Sequence, residues 1–392
     1  MKLRTLQELD VRNKRVLMRV DFNVPLKKGV LADDTRIRAC LPSIQYVLDR
    51  GGSLVLMSHL GRPGPGKPPE FSVAPAAHRL EELLGREVLF VDDCIGEEVE
   101  RKAMGLQAGQ ILVLENVRYY DQEKANDPDF AGKLAKLGEV FVNDAFGTAH
   151  RSHASTEAVA HLLPSAAGFL MQKEVDAFLP LSNNPKKPMV SIIGGAKVSS
   201  KIGVLEQLMH HSSAMIIGGG MSYTFLKSQG YQIGRSLYEQ DYLSMALDLI
   251  KEAKRCGVDL LLPLDHIAAT EVNAEAKGVL VDSIDIPQDY FALDIGPKSI
   301  EQLRPYIASA GTIFWNGPMG VFEFPEFANG TRSLANMVAD SPAFSVVGGG
   351  DSVAAANLFG VTDKMDHVST GGGASLELVE GRHLPGLVAL EK

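Results

Sequence analysis

Cysteine is scarce in this 392-residue chain: Cys40, Cys94 and Cys256 lie far apart and show no metal-ligand spacing. That argues against a disulfide framework or a zinc site, and fits reduced thiols in a cytoplasmic protein. Long apolar runs are missing as well, with nothing near the roughly 18 residues of a membrane span. The N-terminal MKLRTLQELDVRNKR alternates charge with apolar residues where a signal peptide would be continuous. There is no basic excess either. At a net charge of −9, no general nucleic-acid or anionic-membrane surface is expected, and any anion site must be built locally from a few cations. Low complexity is confined to RPGPGKPP, residues 62–69, which is neither helix nor central strand. With 45% hydrophobic and 22% charged residues, the expectation is a soluble, cytoplasmic, folded protein of two to three domains.

What the chain does have is a rhythm. VLMRV, SLVLMSH, VLFV, ILVL and EVFVND are short apolar runs separated by segments, such as 35–50 and 72–84, whose apolar residues recur every three or four positions. The pattern restarts with PMVSIIGG, SAMIIGGG, DLLLP, TIFWNG and FSVVGGG, with helical spacing over 241–254 and 327–339. Strand alternating with helix implies two α/β halves built on parallel sheets. GFLMQKEVDAFLPL, from Gly168 to Leu181, is read as a helix connecting them. In such sheets ligands gather beyond the carboxyl ends of the strands.

Polar residues fall at those ends. RVDFNVPL sets Asp21 and Asn23 on alternate positions past a strand, either as an exposed Asx turn or as a site pair. SHLGRP offers His59 and Arg62, LENVRYY offers Arg118, FGTAHRSHAS offers His150, Arg151 and His153, and Arg36 opens a helix. Each cation alone reads as solvated surface. Four strand ends bringing Arg or His to one sheet edge imply a small, multiply charged anion. A metal pair at His150 and His153 lacks a carboxylate or thiol companion.

The second half is rich in glycine instead. GGAKVSSKIG places Gly194 and Gly195 at a strand end, with Lys197 and Lys201 expected on one face of the helix that follows. Gly218 to Gly220, Gly348 to Gly350 and Gly371 to Gly373 repeat the device. Glycine turns at such junctions serve packing, or let phosphate oxygens reach backbone N–H groups at a helix start. Their recurrence favours phosphate. Asp351, before Ser352, is read as an N-cap, a magnesium ligand, or both. Glu323, closing WNGPMGVFE, is a candidate acceptor for ribose hydroxyls.

In order, RVDFNVPL, SHLGRP, LENVR, FGTAHRSHAS, GGAKVSSKI, GGGM, WNGPMGVFE, GGGDS and STGGGASLE closely resemble the motifs of the phosphoglycerate kinase family, over essentially the whole chain. The resemblance implies two lobes, each a doubly wound parallel sheet flanked by helices: a phosphoglycerate-binding domain at 1–167, a hinge helix at 168–182 and a nucleotide-binding domain at 183–375, with a tail from about 376 to 392 packing back on the first. It implies that Asp21, Asn23, Arg36, His59, Arg62, Arg118 and Arg151 hold the three-carbon substrate. Gly195, Lys197, Lys201, Gly220, Asn316, Pro318, Glu323, Gly349, Gly350, Asp351 and Ser352 would line the ATP or ADP site, with Asp351 on Mg2+. Arg36, Lys197, Gly371 and Gly372 would surround the moving phosphoryl group. The implied chemistry is reversible in-line transfer of the acyl phosphate of 1,3-bisphosphoglycerate to Mg-ADP, in a monomer that closes about its hinge and has no nucleic-acid or membrane partner. Two departures stand out, Tyr119 where phenylalanine is frequent and His266 where an apolar residue is usual. A dinucleotide oxidoreductase, the rival enzyme, lacks its GxGxxG. A two-lobed anion-binding protein without chemistry leaves Lys197, Lys201 and Asp351 unexplained.

Overall fold

A computed structural model describes residues 2–27, 29–64 and 66–392, so Pro65 of the proline-rich loop lies outside the described residues. The chain divides into two compact units, Met1–Asp176 with His383–Lys392, and Ala177–Arg382. It crosses from one to the other inside the helix Phe169–Asn183.

The first unit holds β1 (Arg15–Arg19), β2 (Leu26–Lys27), β3 (Val30–Leu31), β4 (Ser53–Met57), β5 (Leu89–Val91), β6 (Ile111–Leu114), β7 (Val140–Asn143) and β8 (Ser165–Ala167). Six of these make a parallel sheet in the order β5-β6-β4-β1-β7-β8, while β2 and β3 form a small hairpin. The middles of the inner strands are apolar because helices cover both faces of a parallel sheet, while polar residues such as Arg19 and Asn143 stand at their ends. Val16, Met18, Leu54, Leu56, Val113 and Val142 share one core with Ile37, Ile44 and Val47 of the helix Thr35–Leu48, spaced at helical intervals. The ends of the chain join this unit: Arg4 N–H donates to Leu390 O at 2.9 Å and Gly386 N–H to Ala149 O at 2.9 Å.

The helix Phe169–Asn183 starts where it does because Asp144, just past β7, accepts from Leu170 N–H at 2.9 Å and Met171 N–H at 3.2 Å, while Ser43 Oγ accepts from Phe169 N–H at 2.8 Å. These are donors a helix start leaves unpaired. Burial pushes the Asp144 carboxyl up to about 6, against the effect of those bonds.

The second unit holds β9 (Met189–Ile193), β10 (Ala214–Ile217), β11 (Asp259–Leu261), β12 (His266–Ala269), β13 (Val279–Val281), β14 (Phe291–Ile295), β15 (Thr312–Asn316), β16 (Phe344–Val347) and β17 (His367–Val368). Its six-stranded parallel sheet runs β11-β10-β9-β15-β16-β17, with a core of Val190, Ile192, Ile216, Ile313, Trp315 and Val347 under Leu334, Ala335 and Val338 of the helix Asn329–Ala339. A second sheet stands here that the apolar rhythm does not announce, the antiparallel β13-β12-β14. His266 belongs to it. Fully buried, its ring packs on Tyr223 with centroids 5.7 Å apart, and Nε2 meets Ile284 O at 3.1 Å; burial lowers its pKa.

Candidate functional site

On the first unit, the strands whose ends carry the polar motifs are neighbours, β6-β4-β1-β7, so Arg118, His59, Asp21 and Arg151 follow adjacent strand ends. Asp21 is buried; its Oδ2 lies 3.2 Å from Arg36 Nη1, which also donates to Asn23 O at 2.9 Å. Asn23 Oδ1 accepts from Gly61 N–H at 2.8 Å, tying the β1 loop to the β4 loop. Arg118 is buried and donates Nη1 to Gly61 O at 2.8 Å, yet its Nε and Nη2 have no partner. Burial, with the nearby charges of Arg19 and Arg151, lowers its pKa to about 10. A buried guanidinium left half-satisfied among like charges is a recess for an anion. Arg62 is exposed on the β4 loop, and Arg151 Nε meets His150 Nε2 at 3.1 Å.

Arg19 escaped the sequence reading, although an arginine inside the run VLMRV was a signal in itself, since a buried charge needs partners. Fully buried, it donates Nε to Ser155 Oγ at 2.8 Å and Nη1 to Val20 O at 2.6 Å, and its Nη2 lies 3.1 Å from His59 Nδ1. A guanidinium only donates, so Nδ1 accepts and the proton of the neutral ring sits on Nε2. Burial and the charges of Arg19, Arg118, Arg151 and Arg36 hold His59 well below its usual range, so it offers a neutral N–H donor. Ser155 passes the contact on, donating Oγ to buried Glu123 at 2.6 Å. Burial, with Arg118 and Arg19, brings His153 down to about 4, and among the described residues no group of three or more His, Cys, Asp or Glu is placed to hold a metal. Tyr119 uses its extra hydroxyl, donating to Pro68 O at 2.7 Å and fastening the proline-rich loop.

On the second unit the glycine motifs follow β10, β9, β15, β16 and β17, again neighbours. Packing explains several of them. A Cβ on Gly194 would stand 2.1 Å from Pro318 O, and one on Gly349, whose φ is +91°, would stand 2.4 Å from Asn316 Nδ2. These glycines let one strand-end turn lie against the next, so close packing by itself already requires glycine at them. Gly350 and Gly372 are different, with open space within 4 Å of where their Cβ would lie. Asn316 is buried and links the turns, donating Nδ2 to Gly348 O at 2.6 Å and accepting from Lys201 Nζ at Oδ1. Ser352 Oγ accepts from Gly317 N–H at 2.5 Å. Burial lowers the Lys201 pKa, opposed by Asp351 and Glu380.

The helix of this region begins only at Ile202. Lys197 is therefore exposed on a turn, not on a helical face shared with Lys201. Lys201 N–H donates to Val198 O at 2.8 Å, a turn contact that delays the helix. Asp351 is the exposed second residue of the helix Gly350–Leu358, whose N-cap is Gly349, so Asp351 is not the cap. Gly195, Gly220 and Pro318 lie in the turns after β9, β10 and β15; Glu323 is exposed; Gly371 and Gly372 precede the helix Gly373–Val379.

A family model described as phosphoglycerate kinase matches residues 6–382. The chain belongs to the phosphoglycerate kinase family. A phosphoglycerate kinase of Borreliella burgdorferi is 53% identical over 393 residues, covering all of both chains, and one of Dictyoglomus turgidum is 50% identical over 98% of each. Among solved structures, a phosphoglycerate kinase from Coxiella burnetii has a TM-score of 0.91 at 42% identity, covering 99% of this chain and 98% of that one. One from Pyrococcus horikoshii OT3 has 0.86 at 33%, covering 100% and 98%. The activity that comes with phosphoglycerate kinase membership is phosphoryl transfer in glycolysis, and the chain is an enzyme of that kind.

Proposed function

We propose that the first unit's site takes 3-phosphoglycerate or 1,3-bisphosphoglycerate and the second unit's site takes ATP or ADP, with the acyl phosphate passing directly between them. The observation that carries the reading is the buried Arg118 guanidinium, two of whose nitrogens lack partners beside the neutral donor His59. Arg36, Arg62, Arg151, Asp21 and Asn23 complete the recess. In the nucleotide site, Lys201 and the open backbone at Gly350 meet phosphate oxygens, Gly195, Gly220, Asn316, Pro318, Gly349 and Ser352 line the pocket, and Glu323 meets the ribose. Lys197, Arg36 and the amides of Gly371 and Gly372 surround the phosphoryl group in flight.

A carboxylate and a phosphate are good enough nucleophiles without a protein base, so positioning and charge neutralisation carry the rate, and no covalent enzyme intermediate forms. Asp351 fits a magnesium ion that arrives with the nucleotide: one exposed carboxylate is the share a protein contributes when phosphates and waters supply the rest. Bound magnesium supplies charge neutralisation on the phosphates. With the two substrates on different units, transfer requires closure that brings them together and excludes water. The protein works as a cytoplasmic monomer.

The test is a coupled assay on the purified protein. ATP consumption should require both 3-phosphoglycerate and magnesium, and Arg118→Ala should abolish saturation by 3-phosphoglycerate in the working range. Turnover with 3-phosphoglycerate omitted, or unchanged saturation in the variant, contradicts the reading.

A further inference from the structure

Because the turn carrying Lys197 is not helical, its shape depends on what anchors it. Val198 is buried, and Ser200 Oγ donates back to Lys197 O at 2.9 Å. The remaining anchor is Glu239, distant in sequence. One of its carboxylate oxygens accepts from Ser199 N–H at 3.0 Å and the other from Ser199 Oγ at 2.6 Å. Glu239 is braced in turn, its N–H donating to Thr224 Oγ1 at 3.1 Å. Thr224 is buried on the helix Met221–Ser228, which begins next to Gly220 and whose Met221 N–H donates to Gly195 O at 2.9 Å. A ladder therefore runs from the turn after β10, through Thr224 and Glu239, to Ser199, the second residue after Lys197.

We propose that Glu239 is a positioning residue for phosphoryl transfer, gripping Ser199 so that the turn presents Lys197 to the moving phosphoryl group. This rests on the role given to Lys197 above. Bonds to an ionised acceptor are about twice as strong as neutral ones, so a single carboxylate can hold this turn where two serines alone could not. Although partial burial opposes it, the bonds from Ser199 and Val198 keep the Glu239 carboxyl below its usual range, with Lys197 adding attraction. Lys201 has a different anchor, Asn316 Oδ1. Loss of Glu239 should therefore disturb Lys197 and spare Lys201, lowering turnover more than nucleotide affinity.

The experiment places Glu239→Gln and Ser199→Ala each in the wild-type chain and in Lys197→Ala, measuring kcat, the KM for ATP, and melting temperature. In the wild-type background Glu239→Gln should lower kcat about 10- to 100-fold, the scale of a small misplacement of a reacting group. Ser199→Ala, which keeps the backbone N–H bond and so guards against loss of folding, should lower it about 3- to 10-fold, with the KM for ATP within about threefold in both. In the Lys197→Ala background both effects should shrink to within about twofold, because residues that act as one unit are not additive. An undiminished effect there, a KM change as large as the kcat change, or near-normal kcat in Glu239→Gln overturns the proposal. If Lys197→Ala itself turns over normally, the role of Lys197 falls and this inference with it. If Lys197→Ala is impaired while Glu239→Gln is not, only the inference falls.

Discussion

The strand ends of the two parallel sheets are furnished in opposite ways. Those of the first unit carry long side chains: Arg118 and Arg19 are buried, His59 is held neutral beside them, and Glu123 balances the charge through Ser155. Those of the second are mostly main chain, with turns at Gly194, Gly219 and Gly349 packed so closely that a methyl group finds no room. A site made of side chains crowds like charges and titrates. A site made of backbone is insensitive to pH in itself but intolerant of bulk. Each unit should therefore fail in its own manner.

The sharpest contrast is expected from Arg118→Ala, which should lower kcat/KM for 3-phosphoglycerate by about a thousandfold, roughly 4 kcal/mol, since a charge-assisted contact is lost from a desolvated site. Steady-state kinetics decide it, and a loss shared equally by the KM for ATP would blur the distinction between units. Next is Gly194→Ala. With Pro318 O at 2.1 Å from the new methyl, the second unit should lose about 3 kcal/mol in urea unfolding followed through Trp315, the chain's single tryptophan. An unchanged transition would mean that the turns have slack.

Acid should separate the units more gently. The His153 value of about 4 lies below the ordinary 6.5, so between these the unfolded chain binds more protons than the native one. Stability from this group is complete above pH 6.5 and is lost as pH falls through about 4. Asp294, in the second unit, is raised by burial from 3.8 to about 7 despite bonds from Gly330 and Ile295 N–H. Its contribution has the opposite sign, being present below the ordinary value and lost as pH rises through about 7. Asp144, raised to about 6 in the first unit, offsets His153 there, so the histidine is read from a difference: the loss of first-unit hydrogen-exchange protection from pH 6.5 to 4 should be about 1–2 kcal/mol smaller in His153→Gln than in the unaltered protein, allowing for the partial exposure of this ring. The same slope in both proteins would remove His153 from the account. Smallest is Gly350→Ala, where nothing lies within 4 Å of the new methyl. Melting temperature should hold while the KM for ATP rises about threefold, if the nucleotide phosphates take that space as proposed. A drop in melting temperature would place Gly350 with the packed glycines.

Much of this was legible because a buried parallel strand is a plain apolar run and because the motifs after such runs land on one sheet edge. The antiparallel sheet was not, since its edge strand Val279–Val281, though apolar, is only three residues long and largely exposed, too short a run to stand out from a loop. Lys197 and Lys201 stand four apart, but spacing has helical meaning only once the helix has begun, and here Ile202 opens it. The buried charges Arg19, Glu123, Asp144 and Asp294 show the same limit from another side: letters reveal a charge, while only packing reveals that it is out of water. Glycine motifs mislead in the opposite direction, because Gly194 answers to Pro318, a neighbour over a hundred positions away in the sequence.

Asn316 and Gly317 form the dipeptide most prone to spontaneous deamidation, in which the glycine amide nitrogen attacks the asparagine side-chain carbon. Here that nitrogen donates to Ser352 Oγ at 2.5 Å, and the side chain it would attack is tethered to Gly348 O. The hydrogen bonds that hold these turns together thus also slow the chemical ageing of the chain. Deamidation products accumulating at this peptide during storage would act as a clock, recording how often these turns come apart.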